Sequence, residues 1–531
     1  MRSFPSRVNL GPTVAGPSPK TLAWLAGGLL LLLLAGLSPH AVPFNMDELV
    51  HYQPLGCATA PLQRELPLIR DGCGYHDLRL PFTETPRPLR SYFYTGSFPV
   101  LPFFPFWLLF DDPVSARVQG AVFFLLTILL ASRLLRARPS SVLLAALIYP
   151  VLLATFLVDE GPVGLSAVLF VGALLAVRRA LAAGRARPGA AWAALAGFLL
   201  FLGLWTKLVF AWWLPAAVAF AVAEALSREA SWRAALARHH RAALAGLAAL
   251  VLPTALLLAS VDREGRPYAA VLRQGKVSAD PERVEAAAGR LSPYLVDGSR
   301  VAPRNLLLPR SLLDPLPLGL AAAALVVAAR RRGRRRAVAA WTAGAALTFA
   351  LASSSDFSQW PHHFAFPLLL LVFALALALD GLSGRARGGL AVLALLFWAT
   401  LAARWPSATF PGESSPPKDE LLRVVRERGL DRKSLQLHTS WGTYYIAQLF
   451  GDEDRLLLYM RAATDDPKRL ETVRSLAEAR GRSVLLVSSR RWQRIQTPAV
   501  DAVLGRPRAT WLYGDWWAVE YDPVRSASPR P

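Results

Sequence analysis

Eleven apolar segments leave this chain one class of fold, because every second short loop between them is crowded with arginine. The segments run approximately over 21–38, 117–132, 140–157, 161–177, 190–206, 208–225, 243–260, 312–329, 337–352, 364–380 and 388–402. A helix crosses hydrocarbon with roughly 20 apolar residues, and no water is there to satisfy its backbone groups. Segments of this kind are expected to be transmembrane helices, and the chain an α-helical polytopic membrane protein. A soluble fold of 531 residues, 53% of them hydrophobic, would leave too many uninterrupted apolar runs exposed.

The net charge of +22 invites a nucleic-acid-binding reading. Its distribution excludes one. The arginines cluster between spans as Arg133/Arg136/Arg138, Arg178/Arg179/Arg185/Arg187, Arg228/Arg233/Arg238/Arg241, Arg330–Arg332 with Arg334–Arg336, and Arg385/Arg387. This is the positive-inside pattern, which sets orientation. Arg2, Arg7 and Lys20 precede the first span, so residues 1–20 are expected to be cytoplasmic. The run 21–38 is long for a signal peptide and Ser38-Pro39-His40 is a poor cleavage site, so it is read as an uncleaved span. Eleven crossings then put the C-terminus outside. Two arginine clusters flank 190–225 on the same side, so that stretch holds two spans turning at Trp205-Thr206-Lys207.

Three outer segments are large. The first, about 39–116, is rich in proline and aromatics, as short helices lying at the headgroups would be. It holds the two cysteines, Cys57 and Cys73. A disulfide between them would close a loop of about 17 residues and contribute roughly 3 kcal/mol; two free thiols are the alternative. The second, about 261–311, is polar, and Asp280-Pro281-Glu282-Arg283 can start a short helix. The third, 403–531, is separated from the last span by the proline-rich Pro406–Pro417. Ser434–Leu437, Leu456–Tyr459 and Ser483–Val487 read as buried strands, Lys418–Arg428 and Pro467–Arg480 as amphipathic helices, and Trp511–Tyr521 as an outer strand. That alternation suggests a small extracytoplasmic α/β domain.

Acidic residues stand at the outer ends of two spans: Asp47-Glu48 after the first and Asp159-Glu160 after the third. A carboxylate at mid-bilayer costs roughly 2.5–3.5 kcal/mol, so one at membrane depth usually has a purpose. Acidic residues favoured by a helix N-terminus are the plain alternative for Asp47-Glu48. A carboxylate in a cavity can also take a proton from an attacking hydroxyl or amine. Further along come Tyr52, then Arg117 in Ser115-Ala116-Arg117-Val118-Gln119-Gly120 before the second span. Lys207 lies in Leu204-Trp205-Thr206-Lys207-Leu208, followed by an apolar run to Pro215, and His362-His363-Phe364-Ala365-Phe366-Pro367 opens a late span.

In this order and spacing, over about residues 20–402, the chain resembles the GT-C superfamily of membrane glycosyltransferases. It is most similar to the branch with protein O-mannosyltransferases and aminoarabinose transferases. The resemblance implies inverting transfer of a sugar from a polyprenyl-phosphate carrier at the membrane surface, by a catalytic domain over 21–402. Asp47 would be the base, Glu48 and Tyr52 would shape its pocket, and Asp159 would place acceptor or sugar. Lys207 and Arg117 would hold the phosphate, with His362 or His363 beside them. For Lys207 the alternative is snorkelling to the interface, for Arg117 an ordinary flanking cation, and for the histidines interfacial packing beside Trp360. The cysteine pair and the many prolines of the first loop depart from the mannosyltransferase core, and 261–311 holds no domain typical of eukaryotic protein mannosyltransferases. The acceptor is therefore a lipid, a glycan or a protein.

The chain has no compact metal-ligand spacing, and no metal or other cofactor is assigned. The expected partners are the polyprenyl-phosphate-linked sugar, its acceptor and membrane lipids, at the plasma (inner) membrane of a cell envelope. A transporter or flippase of lipid-linked sugars is the second reading, but it predicts internal repeats and mid-membrane polar groups in broken helices. A non-catalytic assembly factor is the third, and it would not need Asp47, Asp159 and Lys207 together.

Overall fold

The structure is a computed structural model. It describes residues 52, 54–55, 76–78, 80, 87–90, 95–110, 114–158, 162–183, 187–229, 231–261, 265, 267–272, 280–297, 300–302, 306–307, 309–330, 332–355, 361–404, 416–451, 454–459, 467–489, 498 and 500–522. The first expected span, 21–38, lies outside these residues. Each of the other ten coincides with helix. They are α2 (Val114–Leu135), the pair α3 (Pro139–Leu147) and α4 (Pro150–Val158), α5 (Val163–Ala183), α6 (Arg187–Thr206), α7 (Leu214–Leu226), α8 (Trp232–Ala259), α10 (Leu316–Arg330), α11 (Arg332–Ser353), α12 (Ala365–Asp380) and α13 (Gly384–Arg404). Helix α1 (Val100–Phe110) precedes them and α9 (Pro281–Val296) lies in the second outer segment. There Asp280 Oδ1 accepts from Glu282 N at 3.0 Å and Pro281 opens the helix, as expected.

Among the described residues five helices are long and apolar enough to cross a membrane, or six with the α3–α4 pair, and this makes the chain an integral membrane protein. Eleven crossings are not reproduced by this measure, since Leu316–Val326 and Ala365–Asp380 are shorter apolar helices. The segment 140–157, expected as one span, is a pair of helices bent by 95° at its middle. The cause is Pro150, which lacks an N–H and drives Tyr149 out of helical geometry. The bend remains satisfied, because Trp398 Nε1 donates to Leu147 O at 2.9 Å.

Helix α12 is apolar on all sides and forms the centre of the bundle, with Ala365–Leu370 and Val372–Leu379 buried. Around it pack α3, α10 and α11, while α6 packs between α5 and α8. A Cβ on Gly197 of α6 would lie 1.9 Å from Gly246 O of α8, so only glycine allows that close crossing.

The arginine-bearing helix ends gather at one end of the bundle. Arg178 of α5 and Arg228 both pair with Glu224 of α7, at 3.2 and 2.7 Å, and Arg178 also donates to Leu134 O. Asp380 Oδ1 accepts from Arg138 N and Ser141 Oγ at 3.0 and 3.1 Å, with Arg387 3.7 Å away. These contacts join the loops at 136–139, 226–228 and 380–387. The start of α2, the α6–α7 junction and the start of α12 lie at the opposite end.

The C-terminal segment is an α/β unit, as expected. After two short antiparallel pairs earlier in the chain, β1 (His76–Leu78) with β2 (Arg87–Arg90) and β3 (Arg300–Ala302) with β4 (Leu306–Leu307), its sheet is built from β5 (Ser434–His438), β6 (Leu456–Tyr459), β7 (Ser483–Ser489), β8 (Pro507–Tyr513) and β9 (Trp516–Tyr521), in the order β6-β5-β7-β9-β8. The first three are parallel and β8–β9 is an antiparallel hairpin. Helices α14 (Pro416–Glu427), α15 (Trp441–Phe450) and α16 (Pro467–Ala479) complete it. The expected single outer strand at Trp511–Tyr521 is corrected to that hairpin. Gly514, at φ 56°, allows the two-residue turn, and β9 is wholly buried beside β7.

Candidate functional site

Two groups of the expected site residues form at the end away from the arginine loops. The first surrounds the start of α2. Tyr52 is fully buried, stacks on Phe103 of α1 at 3.7 Å between centroids and 19°, and donates its hydroxyl to Gln119 Oε1 at 3.0 Å. Arg117, in the first turn of α2, is 3% exposed, and its Nη1 donates to Leu157 O at 3.1 Å. A cation in a first helical turn opposes the helix dipole; at the end of α4 the same guanidinium meets the favourable, negative pole. The arginine therefore ties the start of α2 to the end of α4, and Asp159 follows Leu157 by two residues in the chain.

The second group is built on Lys207. Helix α6 stops at Thr206, Lys207 is extended (φ −158°, ψ 127°), and a 3-10 turn over Leu208–Trp213 leads into α7. The expected turn at Trp205-Thr206-Lys207 is therefore present. It is stitched to the first outer segment: Thr95 forms a β-bridge with Lys207, Gly96 N donates to Thr206 O at 3.2 Å, and Trp205 Nε1 donates to Leu89 O at 3.0 Å. Leu89 belongs to β2 (Arg87–Arg90), which pairs with β1 (His76–Leu78). Lys207 is 1% exposed, so it does not snorkel to a surface. It sits at the C-terminus of α6, where the dipole favours a cation.

His363 is fully buried in the 3-10 turn Pro361–Phe364 and meets Trp212 edge-on at 5.5 Å. Trp213 Nε1 donates to Phe366 O at 2.9 Å. The Lys207 and His362-His363 segments are thus packed together, through tryptophans that follow the lysine. One stretch of chain joins the two groups, since Thr95 bridges Lys207 and Phe103 stacks on Tyr52. Eight residues, four of them in a helix, span at most about 25 Å.

Asp47, Glu48, Asp159, Cys57 and Cys73 lie outside the described residues, so the base, the second carboxylate and the expected disulfide have no geometry here. For His362 only the backbone is described. Among the described residues no group of three or more His, Cys, Asp or Glu is placed to hold a metal ion. Sequence reasoning missed Gln119, although it stands two residues beyond Arg117, and missed Thr95-Gly96, where a glycine in an aromatic-rich stretch was the available signal.

The C-terminal unit covers this end. Tyr444, Ile446 and Ala447 of α15 share one apolar cluster with Tyr52, Phe103 and Ala116, and Leu422 and Leu457 join it from α14 and β6.

No protein-family model and no curated protein matches the sequence. Solved structures do. ArnT from Cupriavidus metallidurans bound to undecaprenyl phosphate is similar at a TM-score of 0.58 and 14% identity, over 97% of this chain and 100% of that one. The apo state of the same protein is similar at a TM-score of 0.53 and 13% identity, over 96% of this chain and 99% of that one. ArnT is an aminoarabinose transferase of the GT-C superfamily. At this identity the correspondence is one of architecture, and it runs the length of both chains: the protein has the GT-C fold.

Proposed function

We propose that this chain is a membrane glycosyltransferase that moves a sugar from a polyprenyl-phosphate carrier to a lipid, glycan or protein acceptor. The reaction takes place at the end of the bundle opposite the arginine loops, on the extracytoplasmic side. The observation that carries the reading is the pair of buried cations at that end, Arg117 and Lys207, within a full-length GT-C architecture. The undecaprenyl phosphate bound to ArnT supports a lipid-phosphate donor of the same class.

Asp47 takes the proton of the acceptor hydroxyl or amine as it attacks the anomeric carbon, and the bond from that carbon to the carrier phosphate breaks with inversion. Glu48 shapes the pocket and Asp159 places the acceptor or sugar. Lys207, a compact point charge, and Arg117, a planar donor fork, stabilise the charge that develops on the leaving phosphate. Either His362 or His363 flanks the phosphate from the start of α12. Residues 403–531 form the extracytoplasmic domain above the site, and the N-terminus is cytoplasmic. The bent α3–α4 pair is the one feature that favours a transporter. Ile148, Tyr149 and Val151 at the break are buried and uncharged, so they offer a travelling phosphate headgroup no charge to pair with.

The test is Asp47→Asn, which preserves size and removes the base. The variant should insert and unfold like wild type and transfer no sugar. Transfer at near the wild-type rate by a well-folded Asp47→Asn protein removes the base assignment.

A further inference from the structure

Tyr52 is a poor candidate for a substrate ligand. Its ring is sealed against Phe103, its hydroxyl is given to Gln119, and no part of it is exposed. Its surroundings come from α1, the first turns of α2, and the C-terminal domain, where α15 gives Tyr444, Ile446 and Ala447 and α14 and β6 give one leucine each. Ala116, in the same cluster, is the residue before Arg117. Whatever fixes that cluster therefore fixes the turn from which Arg117 reaches Leu157 O.

The cluster is held from both sides. Helix α1 gives Phe103 to it and turns Leu101, Leu108 and Leu109 outward, each at least 60% exposed. In a membrane protein such an uncharged, outward apolar face lies in lipid. On the other side α15 is locked to its own sheet. His438 of β5 bonds Thr443 Oγ1 of α15 through Nδ1 at 3.0 Å and Gln436 Oε1 through Nε2 at 3.0 Å, and Gln436 Nε2 donates to Asp431 Oδ1. His438, Gln436 and Thr443 are fully buried, so this polar chain is rigid. A helix fixed to its sheet and sharing one apolar cluster with the start of α2 can act as a clamp.

We infer that α15 clamps the first turns of α2, and that Tyr52 and Gln119 are positioning residues that carry the clamp to Arg117. The C-terminal domain is then a working part of the site rather than a cover over it. The clamp is a statement about structure; only its effect on turnover rests on the glycosyltransferase reading.

Hydrogen exchange on the full chain in lipid nanodiscs tests it, comparing wild type with Ile446→Ser and with Tyr52→Phe. The Ile446→Ser change loosens the joint from the domain side, and Tyr52→Phe keeps the ring stack while removing one hydroxyl. Exchange of the amides at 118–121 should rise about tenfold in Ile446→Ser and by less in Tyr52→Phe, with 131–135 at the far end of α2 unchanged. Faster exchange confined to 441–450, with 118–121 as in wild type, overturns the clamp, whether or not any sugar is transferred. In the activity arm, Tyr52→Phe and Gln119→Leu should each lower kcat with KM for the polyprenyl-phospho-sugar unchanged, and the double variant should be no worse than either. A rise in KM at constant kcat for Tyr52→Phe makes it a substrate ligand and overturns its positioning role. A wild type that transfers nothing defeats the glycosyltransferase reading and leaves the exchange result to decide the clamp.

Discussion

Replacing Gly96 by alanine should damage the Lys207 turn. A Cβ there would lie 1.6 Å from Trp205 O, 2.5 Å from Trp205 Cδ1 and 2.8 Å from Trp205 C. Heavy atoms in contact stand roughly 3.5 Å apart, so the two backbones must separate by about 2 Å. That separation breaks the Gly96 N to Thr206 O bond and the Thr95–Lys207 bridge. Each of the two lost bonds costs about 0.5–1.5 kcal/mol and overpacking adds about 1–3 kcal/mol, so the loss is about 2–6 kcal/mol, concentrated at this turn. The assay is thermal unfolding of the purified full chain in detergent, with exchange at 203–210 as the local readout. Gly389→Ala is the control: it sits within α13 with nothing within 4 Å of the added carbon, and should be neutral or gain about 0.5–1 kcal/mol. If Gly96→Ala unfolds at the wild-type temperature with unchanged exchange at 203–210, the stitching of the first outer segment to Lys207 is not real.

Acid should weaken the C-terminal domain through His438. Burial pushes its imidazole from 6.5 down to about 3, so the unfolded chain takes up a proton that the folded domain refuses between those values. Stability therefore rises with pH across that window and falls on acidification, by roughly 2 kcal/mol between pH 6.5 and pH 5. Exchange of the β5 amides against pH reads this loss, and an equal stability at both values refutes it. Asp380→Ala should cost about 1–3 kcal/mol at the arginine-rich end, since it strips two hydrogen bonds from a partly buried carboxylate. An unchanged melting temperature counts against that joint. Reporter fusions after Arg404 should give an external signal, and a cytoplasmic one inverts the orientation drawn from the arginine loops.

The positions of the helices were legible because hydrocarbon and charge leave so few options. Ten of the expected spans are helices, and the Thr206-Lys207 turn stands where a break between two arginine clusters required one. The α3–α4 bend was missed because Pro150 was counted as one more apolar residue, although the Tyr149-Pro150 pair carries a known bias against helix. The β8–β9 hairpin was missed in the same way: aromatic alternation hid Gly514-Asp515, a two-residue turn. Strand β5 is buried, as expected, although its residue pattern alone argues otherwise. Ser434, Gln436 and His438 alternate with leucines as on a half-exposed strand, yet all five residues are buried. Gln436 and His438 are satisfied within five residues, by Asp431, Thr443 and each other, and Ser434 by the distant Ser483. The joint between α15 and the bundle had no signal at all, since Tyr444, Ile446 and Ala447 look like any domain core. In the site, Lys207 and Arg117 were legible as cations at helix ends, and the histidine pair as a polar motif before a late span. What each touches was not, because those partners lie 40 to 151 residues away in the chain.

The most direct measurement is incubation of the purified, lipid-reconstituted protein with a panel of polyprenyl-phosphate sugars and candidate lipid, glycan and protein acceptors, read by mass spectrometry. Wild type should release free polyprenyl phosphate from one donor and add that sugar's mass to one acceptor, with both products lost in Lys207→Ala. Intact donors throughout, or a donor carried across the bilayer uncleaved, would contradict sugar transfer at this site.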